Sequence, residues 1–432
     1  MVDPRGFANQ RPGNDDPAGW LDASAAIALL GVKRETLYAY ASRGLVETRP
    51  EPGTRRRRYR LADLERLRAR HDARAGHAAV AASALRWGEP VLDSAITELA
   101  ATGPRYRGVD AVGLALEGAR FEDVAELLFT GRPSTGARWA SRGRAPSARA
   151  LASLLPRGSR PIDALTVALP ALALADADRF DRTAEPTLAS ARSAIFELSA
   201  LVGLFEGADR VAKAREQETV AKRLAVALGA SPSPRTVSAI ERALVLSADH
   251  ELNPSSFGCR VAASTGADLH ACFGAALGCM LGVVHGGQTG RIESLVDEVG
   301  RPDRAIEVLR ERMRRGEEIP GFGHPLYPEG DPRTPPLLAL ARELGARRNG
   351  ARTLLSVVDA MELAGHPRPT IDLGTVAIAE ALGLPRGSAL VLFTLGRTAG
   401  WVAHVLEQRA QGFVLRPRAR YVGAQSGRAS TK

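Results

Sequence analysis

The amino-acid sequence predicts a mainly α-helical protein, with a long helical body preceded by a small basic unit of short helices and one strand. Three observations carry that reading. From about residue 91 to the C-terminus, Ala-, Leu- and Arg-rich stretches of helical period alternate with Gly and Pro stops, and alternating β-branched runs are few. Between residues 24 and 70, two short apolar segments, a turn, an Arg-rich run and a third helical segment follow one another. The 432 residues, 45% hydrophobic and 25% charged, suffice for two or three domains with their own cores.

Residues 1–18 mix Pro, Gly, Asn and Asp without period and read as a flexible tail. In SAAIALLG, Ser24 is a candidate N-cap, Ile27, Leu29 and Leu30 form an apolar helix, and Gly31 ends it. In VKRETLYAYASRGLV, Val32, Leu37 and Tyr40 share a core-facing side, while Lys33, Arg34, Thr36 and Arg43 fall on the outer side and Gly44 stops the helix. Pro52 and Gly53 then make a turn, Arg55 to Arg60 a basic strand, and residues 62–70 a helix. This order resembles the MerR/excisionase-like winged helix-turn-helix family over residues 19–75, through LLGVKRETLYAYASRGLV and RRYRLADLERL. The resemblance implies that Lys33, Arg34 and Thr36 meet base edges or phosphates, and that Arg55, Arg56, Arg57 and Arg58 lie along the DNA backbone or minor groove. The plainer reading is a solvated basic face on a docking module.

Charge leaves that choice open. Residues 1–75 hold 15 Lys/Arg against 10 Asp/Glu, half of the net charge of +10, but arginine is abundant throughout. The longest apolar run, Ala164 to Ala175, is too short to span a bilayer and contains Pro170, and the N-terminus lacks a signal-type apolar core. A cytoplasmic protein is expected. Cys259, Cys272 and Cys279 are odd in number and form no CxxC pair, so they read as small buried side chains. Residues 76–90 are an Ala-rich connector, 132–160 a surface excursion, and 416–432 an arm followed by a loose tail, 424–432.

In the body, SADHELNPSSFGCRVAAST (247–265), GVVHGGQTG (282–290), PGFGHPLYPEGDPR (320–333) and PTIDLGTVAIAEALGLP (369–385) each set His, Asp or Arg beside Gly, Pro or a turn. GRTAGWVAHVLEQRAQGFVLRPR (396–418) adds arginines. A packed helical core has no need of His-Gly-Gly or Gly-x-Gly-His. Taken in order, and with YRGVDAVGLALEGARFEDVAELLFTG (106–131), these segments resemble citrate synthase. The resemblance implies an all-α homodimer, with a large domain over 91–285 and 376–423 and a small domain over 286–375 that closes on the substrates. It also implies roles. His285 bonds the thioester carbonyl of an acyl-CoA, Asp372 removes the methyl proton, and His324 donates to the oxaloacetate carbonyl. His250, Arg333 and Arg397 hold oxaloacetate, and Arg416 reaches in from the other subunit.

Residue chemistry agrees. A thioester methyl is a very weak acid, so a carboxylate base needs a donor such as His285 on the enolate oxygen in a dry site. The carbon–carbon bond then puts charge on the ketone oxygen, where a positioned His324 can meet it. Arginines fix a dicarboxylate through paired, charge-assisted bonds. No cofactor or metal is called for, since His250, His285 and His324 lack paired ligand spacing, and Pro325 spoils GFGH as a phosphate loop. His71, His77, His270, His366 and His404 read as ordinary core or surface residues. The chain departs from the family pattern at Ser247, Thr370 and Leu373, and at Pro325 and Pro328, where residues near CoA are commonly basic. The competing function is a transcriptional regulator that senses a CoA ester or oxoacid through a synthase-like body. Intact Asp372, His285 and His324 favour catalysis.

Overall fold

The computed structural model describes residues 19–51, 57–65, 67, 92–143 and 145–419. The expected tail, the turn at Pro52 and Gly53, Arg55, Arg56 and the connector 76–90 lie outside them. The chain divides into two compact units between Asp93 and Ser94.

In the first unit, strands β1 (Trp20–Leu21), β2 (Thr48–Pro50) and β3 (Arg57–Arg60) form an antiparallel sheet with β3 in the centre. Two helices, Ala23–Leu30 and Arg34–Ser42, precede β2. The first is capped by Asp22, whose Oδ1 accepts from Ala25 N at 2.8 Å, and not by Ser24. Both residue types cap well, and Asp22 takes the role because β1 ends at Leu21 and the chain turns there. Gly31 ends the helix in the left-handed region at φ 63°. Leu37 is buried in a core with Leu21, Ala26, Leu30, Val46, Tyr59 and Leu64, and Val32 and Tyr40 pack against it. Lys33, Arg34 and Arg43 are exposed and Thr36 half-buried. The third helical segment is seen over 61–65 and at 67.

The second unit opens with a small antiparallel sheet, β4 (Thr97–Ala100), β5 (Gly103–Tyr106) and β6 (Val109–Asp110), and is otherwise helical, as the sequence predicts. The surface excursion is partly anchored. Trp139 is buried, stacks on Phe129 and donates Nε1 to Glu126 Oε1 at 2.9 Å. Ala184–Phe205 and Ser388–Gln411 are long and apolar enough to cross a membrane, yet 78% and 94% of these windows are buried inside the protein, so both are core helices.

Ser388–Gln411 organises the body. It packs against the helices Phe121–Thr130, Pro234–Ser247, Pro254–Ser264, Leu269–Met280 and Ile371–Leu382. Gly400 makes the closest approach. Its N–H donates to Ala248 O at 2.9 Å, and a Cβ there would lie 2.1 Å from Asp249 Oδ1. The missing side chain lets the end of one helix dock against the middle of another, which sets residues 247–250 beside Arg397.

Candidate active site

Each side chain of the site comes from an element end or a tight loop. The helix Pro234–Ser247 stops at Ser247, whose carbonyl accepts Arg397 Nε at 2.7 Å. The chain passes through Asp249, His250 and Glu251, a non-glycine residue at φ 54°, and restarts at Asn253. Asn253 Oδ1 caps the helix Pro254–Ser264 by accepting from Ser255 N and Ser256 N at 3.1 and 3.2 Å. Ser255 is buried inside the first turn. Its hydroxyl lies 2.6 Å from Asn253 Oδ1 and 3.3 Å from His285 Nε2, and it accepts Trp401 Nε1 at 3.3 Å.

His285 stands on a turn between Leu269–Met280 and Gly287–Val299. A Cβ at Gly286 would lie 2.3 Å from Met280 O and 2.7 Å from Leu390 Cδ1, which explains the His-Gly-Gly run as a close backbone approach. Burial and the nearby Arg397 charge hold the His285 pKa down to about 4, so the ring is neutral near pH 7.

Gly323 N donates to Arg368 O and Thr370 N to Gly321 O, each at 2.9 Å, with Phe322 opposite Pro369. This two-strand stitch brings the His324 loop to the start of the helix Ile371–Leu382, where Asp372 occupies the first turn. Burial pushes Asp372 up, the Arg333 charge opposes it, and the net pKa is about 6. Thr370 Oγ1 lies 3.5 Å from Asp372 Oδ2. His324 Nδ1 accepts Leu326 N–H at 3.2 Å, so in the neutral ring Nε2 carries the proton and is a donor. Burial and Arg333 lower its pKa.

Two guanidiniums lie almost wholly inside the protein, Arg333 at 2% and Arg397 at 1% exposure. Asp331 takes Arg333 Nε at 2.9 Å and Nη2 at 2.7 Å, and Asp331 Oδ2 also accepts Ile371 N at 3.2 Å. Arg397 Nη2 and Ser247 Oγ are buried with no hydrogen-bond partner among the described residues. Burial pushes the Arg397 pKa down to about 10, with the Arg333 charge adding to the fall and Asp249 opposing it. Such a desolvated, incompletely bonded cation is stabilised by an anionic ligand. His250 is buried, its Nε2 3.0 Å from the Tyr327 hydroxyl, and burial with the charges of Arg333 and Arg397 holds its pKa well below the ordinary value.

The charges of Arg333 and Arg397 thus reach His250 and Asp372, Arg333 also reaches His324, and Arg397 also reaches His285. Arg416 stands elsewhere. It is exposed on the extended segment after Gln411 and forms no ion pair among the described residues. Sequence reading passes over Tyr327, Asp331, Ser255 and Trp401. All four lie inside the segments singled out, and Asp331 stands two residues before Arg333, the only local signal for that pair. Pro325 and Pro328 are exposed.

In the first unit, Arg58 donates Nε and Nη2 to Glu51 Oε1 at 3.1 and 2.8 Å, Arg60 pairs with Glu47 at 2.8 Å, and Arg57 Nη1 reaches Thr48 Oγ1 at 3.2 Å.

Comparison with known proteins points to one family. Residues 84–418 match the family model described as citrate synthase, C-terminal domain. A citrate synthase of Mycolicibacterium smegmatis is 31% identical over 332 residues, 74% of this chain and 88% of that protein. A 2-methylcitrate synthase of Mycobacterium tuberculosis is 31% identical over 331 residues, 74% of this chain and 84% of its own. Citrate synthase from Thermotoga maritima superposes with a TM-score of 0.65 at 25% identity, covering 79% of this chain and 95% of that one. A fold likeness at 22% identity and TM-score 0.68, over 78% of this chain and 95% of that one, links it to Thermoplasma acidophilum citrate synthase, solved with carboxymethyl coenzyme A and oxaloacetate.

Proposed function

Because the chain belongs to the citrate synthase family, we propose that it condenses acetyl-CoA or propionyl-CoA with oxaloacetate, giving citrate or 2-methylcitrate and CoA. It is a citrate synthase-type acyltransferase, and acyl-CoA serves as substrate without a cofactor. The observation that carries the substrate reading is the pair of buried guanidiniums, Arg333 and Arg397, beside the carboxyl of Asp372.

Asp372 takes a proton from the carbon next to the thioester. The enolate oxygen receives a hydrogen bond from neutral His285. Its Nε2 is occupied by Ser255, so the donor is Nδ1–H, and the Ser255 hydroxyl proton then turns from Asn253 Oδ1 to His285 Nε2. Rotation about one bond accomplishes this. The enolate carbon attacks the ketone carbon of oxaloacetate, and His324 Nε2–H meets the charge that grows on the ketone oxygen. Water then cleaves the thioester, releasing CoA and the acid. His250, Arg333 and Arg397 hold the carboxylates.

The small domain at 286–375 is supported by a separate apolar cluster of Leu295, Val299, Ala305, Val308, Leu309, Ile319, Val357 and Met361, all within it. The remainder of the body, 91–285 and 376–423, forms the large domain. A cytoplasmic homodimer completes the reading, with Arg416 donated across the interface. In support, Ala271, Gly274, Gly278 and Leu281 form an exposed stripe of mostly small residues along and just past Leu269–Met280. The first unit is read as a winged helix-turn-helix that binds DNA through Lys33, Arg34, Thr36 and Arg57, with Arg58 engaged by Glu51.

A thiol-release assay with oxaloacetate and each acyl-CoA tests the catalytic reading. Release dependent on both substrates is expected. Its absence with every acyl-CoA, in a protein that binds oxaloacetate by calorimetry, would make the body a sensor.

A further inference from the structure

Beside both imidazoles of the oxoacid pocket stands a side chain that the family reading leaves without a task. Tyr327 is 5% exposed. Its hydroxyl lies 3.0 Å from His250 Nε2, and its ring centroid is 5.5 Å from that of His250 and 5.1 Å from that of His324. The two imidazoles meet edge to face, centroids 5.5 Å apart at 80°. The backbone fixes the ring there. Tyr327 N donates to His324 O and Gly330 N to Tyr327 O, each at 3.0 Å. Pro325 and Pro328 restrict the same loop by locking their own φ angles.

We propose that Tyr327 is a positioning residue of the oxoacid pocket: its hydroxyl holds the His250 ring by Nε2, and its aromatic face sets the angle between His250 and His324 before the oxoacid arrives. The inference rests on the assignment of His250 and His324 to oxoacid binding. A buried ring that only filled space would do so equally well without a polar tip, and this hydroxyl is spent on one imidazole nitrogen. With Nε2 unprotonated the tyrosine O–H donates to it, and the contact fixes that edge of the ring. Burial pushes the Tyr327 pKa up to about 12, so the hydroxyl remains a donor across the working range. The loop that carries the ring also gives His324 its tautomer through Leu326 N–H, so one segment orients both groups. The benefit is preorganisation, which acts on oxoacid binding and leaves proton abstraction by Asp372 alone.

Tyr327→Phe keeps the ring and removes the hydroxyl. Its KM for oxaloacetate should rise about 3- to 10-fold, with kcat within about 2-fold and the KM for acyl-CoA unchanged. In a His250→Ala background the same change should add less than about 2-fold, because the partner is gone. Tyr327→Leu, which also loses the ring, should in addition lower kcat, since His324 is no longer held. An oxaloacetate KM equal to wild type in Tyr327→Phe overturns the proposal. So does an equal rise for both substrates with a lowered unfolding temperature, the mark of a packing role. Calorimetric titration with oxaloacetate separates this from failure of the wider reading. If Arg397→Gln abolishes binding while Tyr327→Phe binds as wild type, the substrate assignment stands and the Tyr327 proposal falls. If wild type does not bind oxaloacetate, both fall.

Discussion

His404 Nε2 lies 3.3 Å from Asp249 Oδ1 with both side chains wholly buried, and this contact ties the longest helix to the loop that presents His250. On the other side of the ring, Arg260 Nη1 stands 3.5 Å from Nδ1. A guanidinium has only protons to offer, so Nδ1 accepts and Nε2 carries the proton on the Asp249 side, within ion-pair distance of the carboxylate but outside hydrogen-bond geometry. Arg260 is itself held by Gln408, Glu407 and Gln411 at 2.9, 2.6 and 2.7 Å. Burial alone would push Asp249 up, but His404 and Arg397 outweigh it and its pKa is lowered. His404→Ala strands that carboxylate. It should lower unfolding free energy by about 3 kcal/mol in urea, while His404→Gln, which keeps an N–H donor, should lose less than half of that. A loss below about 1 kcal/mol for the alanine variant would mean that Asp249 is stabilised by Arg397 and the backbone alone.

Asp372 gives the clearest pH signature. With Asp372 as the proposed base, a pKa near 6 leaves it protonated and inactive in mild acid. The kcat/KM profile should rise with pH through a midpoint near 6, about two units above an ordinary aspartate. Asp372→Asn should lower kcat by about 10³-fold while oxaloacetate still binds in calorimetry. A profile flat down to pH 5 would point to another base.

How far the sequence carries the site depends on where a residue's partners lie. Asp372, His285, His324 and Arg333 stand in short Gly- or Pro-bearing segments, and such local features survive in one dimension. Arg397 is readable beside Gly396, although the reason that glycine is there, an approach to Leu244 O, belongs to a helix far back in the chain. The pairs His404–Asp249 and Trp401–Ser255 join segments about 150 residues apart, and no period or spacing encodes them. His404 therefore reads as an ordinary buried histidine. The mainly helical body is legible because Ala and Leu recur at helical spacing between Gly and Pro stops. The cap at Asp22 is not, since Ser24 satisfies the same local rule.

A second titrating pair lies outside the site. Glu241 Oε2 accepts Phe121 N at 2.6 Å and Glu122 Oε1 accepts Val220 N at 2.9 Å, with Arg120 3.6 Å from Glu122 Oε2. Burial, with the neighbouring Glu122 charge, raises Glu241 to about 8, and burial raises Glu122. The folded state therefore holds more protons than the unfolded chain between about pH 4.5 and 8. Stability falls as pH rises through that window. Glu241→Gln should match wild type near pH 5 and exceed it by about 1–3 kcal/mol at pH 8.5 in urea unfolding. Equal pH dependence in both proteins would refute the account of a protonated, buried Glu241.

The first unit has its own test. If Lys33, Arg34 and Arg57 contact phosphates, DNA affinity should fall steeply with salt, and Lys33→Ala with Arg34→Ala should reduce the slope of log K against log salt by about 2. Mobility shift over a salt series measures this. No shift at low salt would leave the unit as a protein-docking module, with Arg58 and Arg60 serving their glutamate partners.

Arg416 lies exposed beyond Gln411, in the extended LRPR segment, while His250, Arg333 and Arg397 are already gathered inside the chain. If a partner subunit supplies its guanidinium to the oxaloacetate carboxylates, no separated subunit has a whole site. Asp372→Asn and Arg416→Ala homodimers should then both be inactive, and their mixture should regain activity once subunits exchange. In the heterodimer one site combines an intact Asp372 with the partner's intact Arg416, and the other holds both defects. At random pairing half of the dimers are mixed and each has one good site, so about a quarter of the wild-type activity per total subunit should return. Differently tagged chains establish that mixed dimers have formed. Mixed dimers without activity would place Arg416 within its own subunit's site or outside the chemistry altogether.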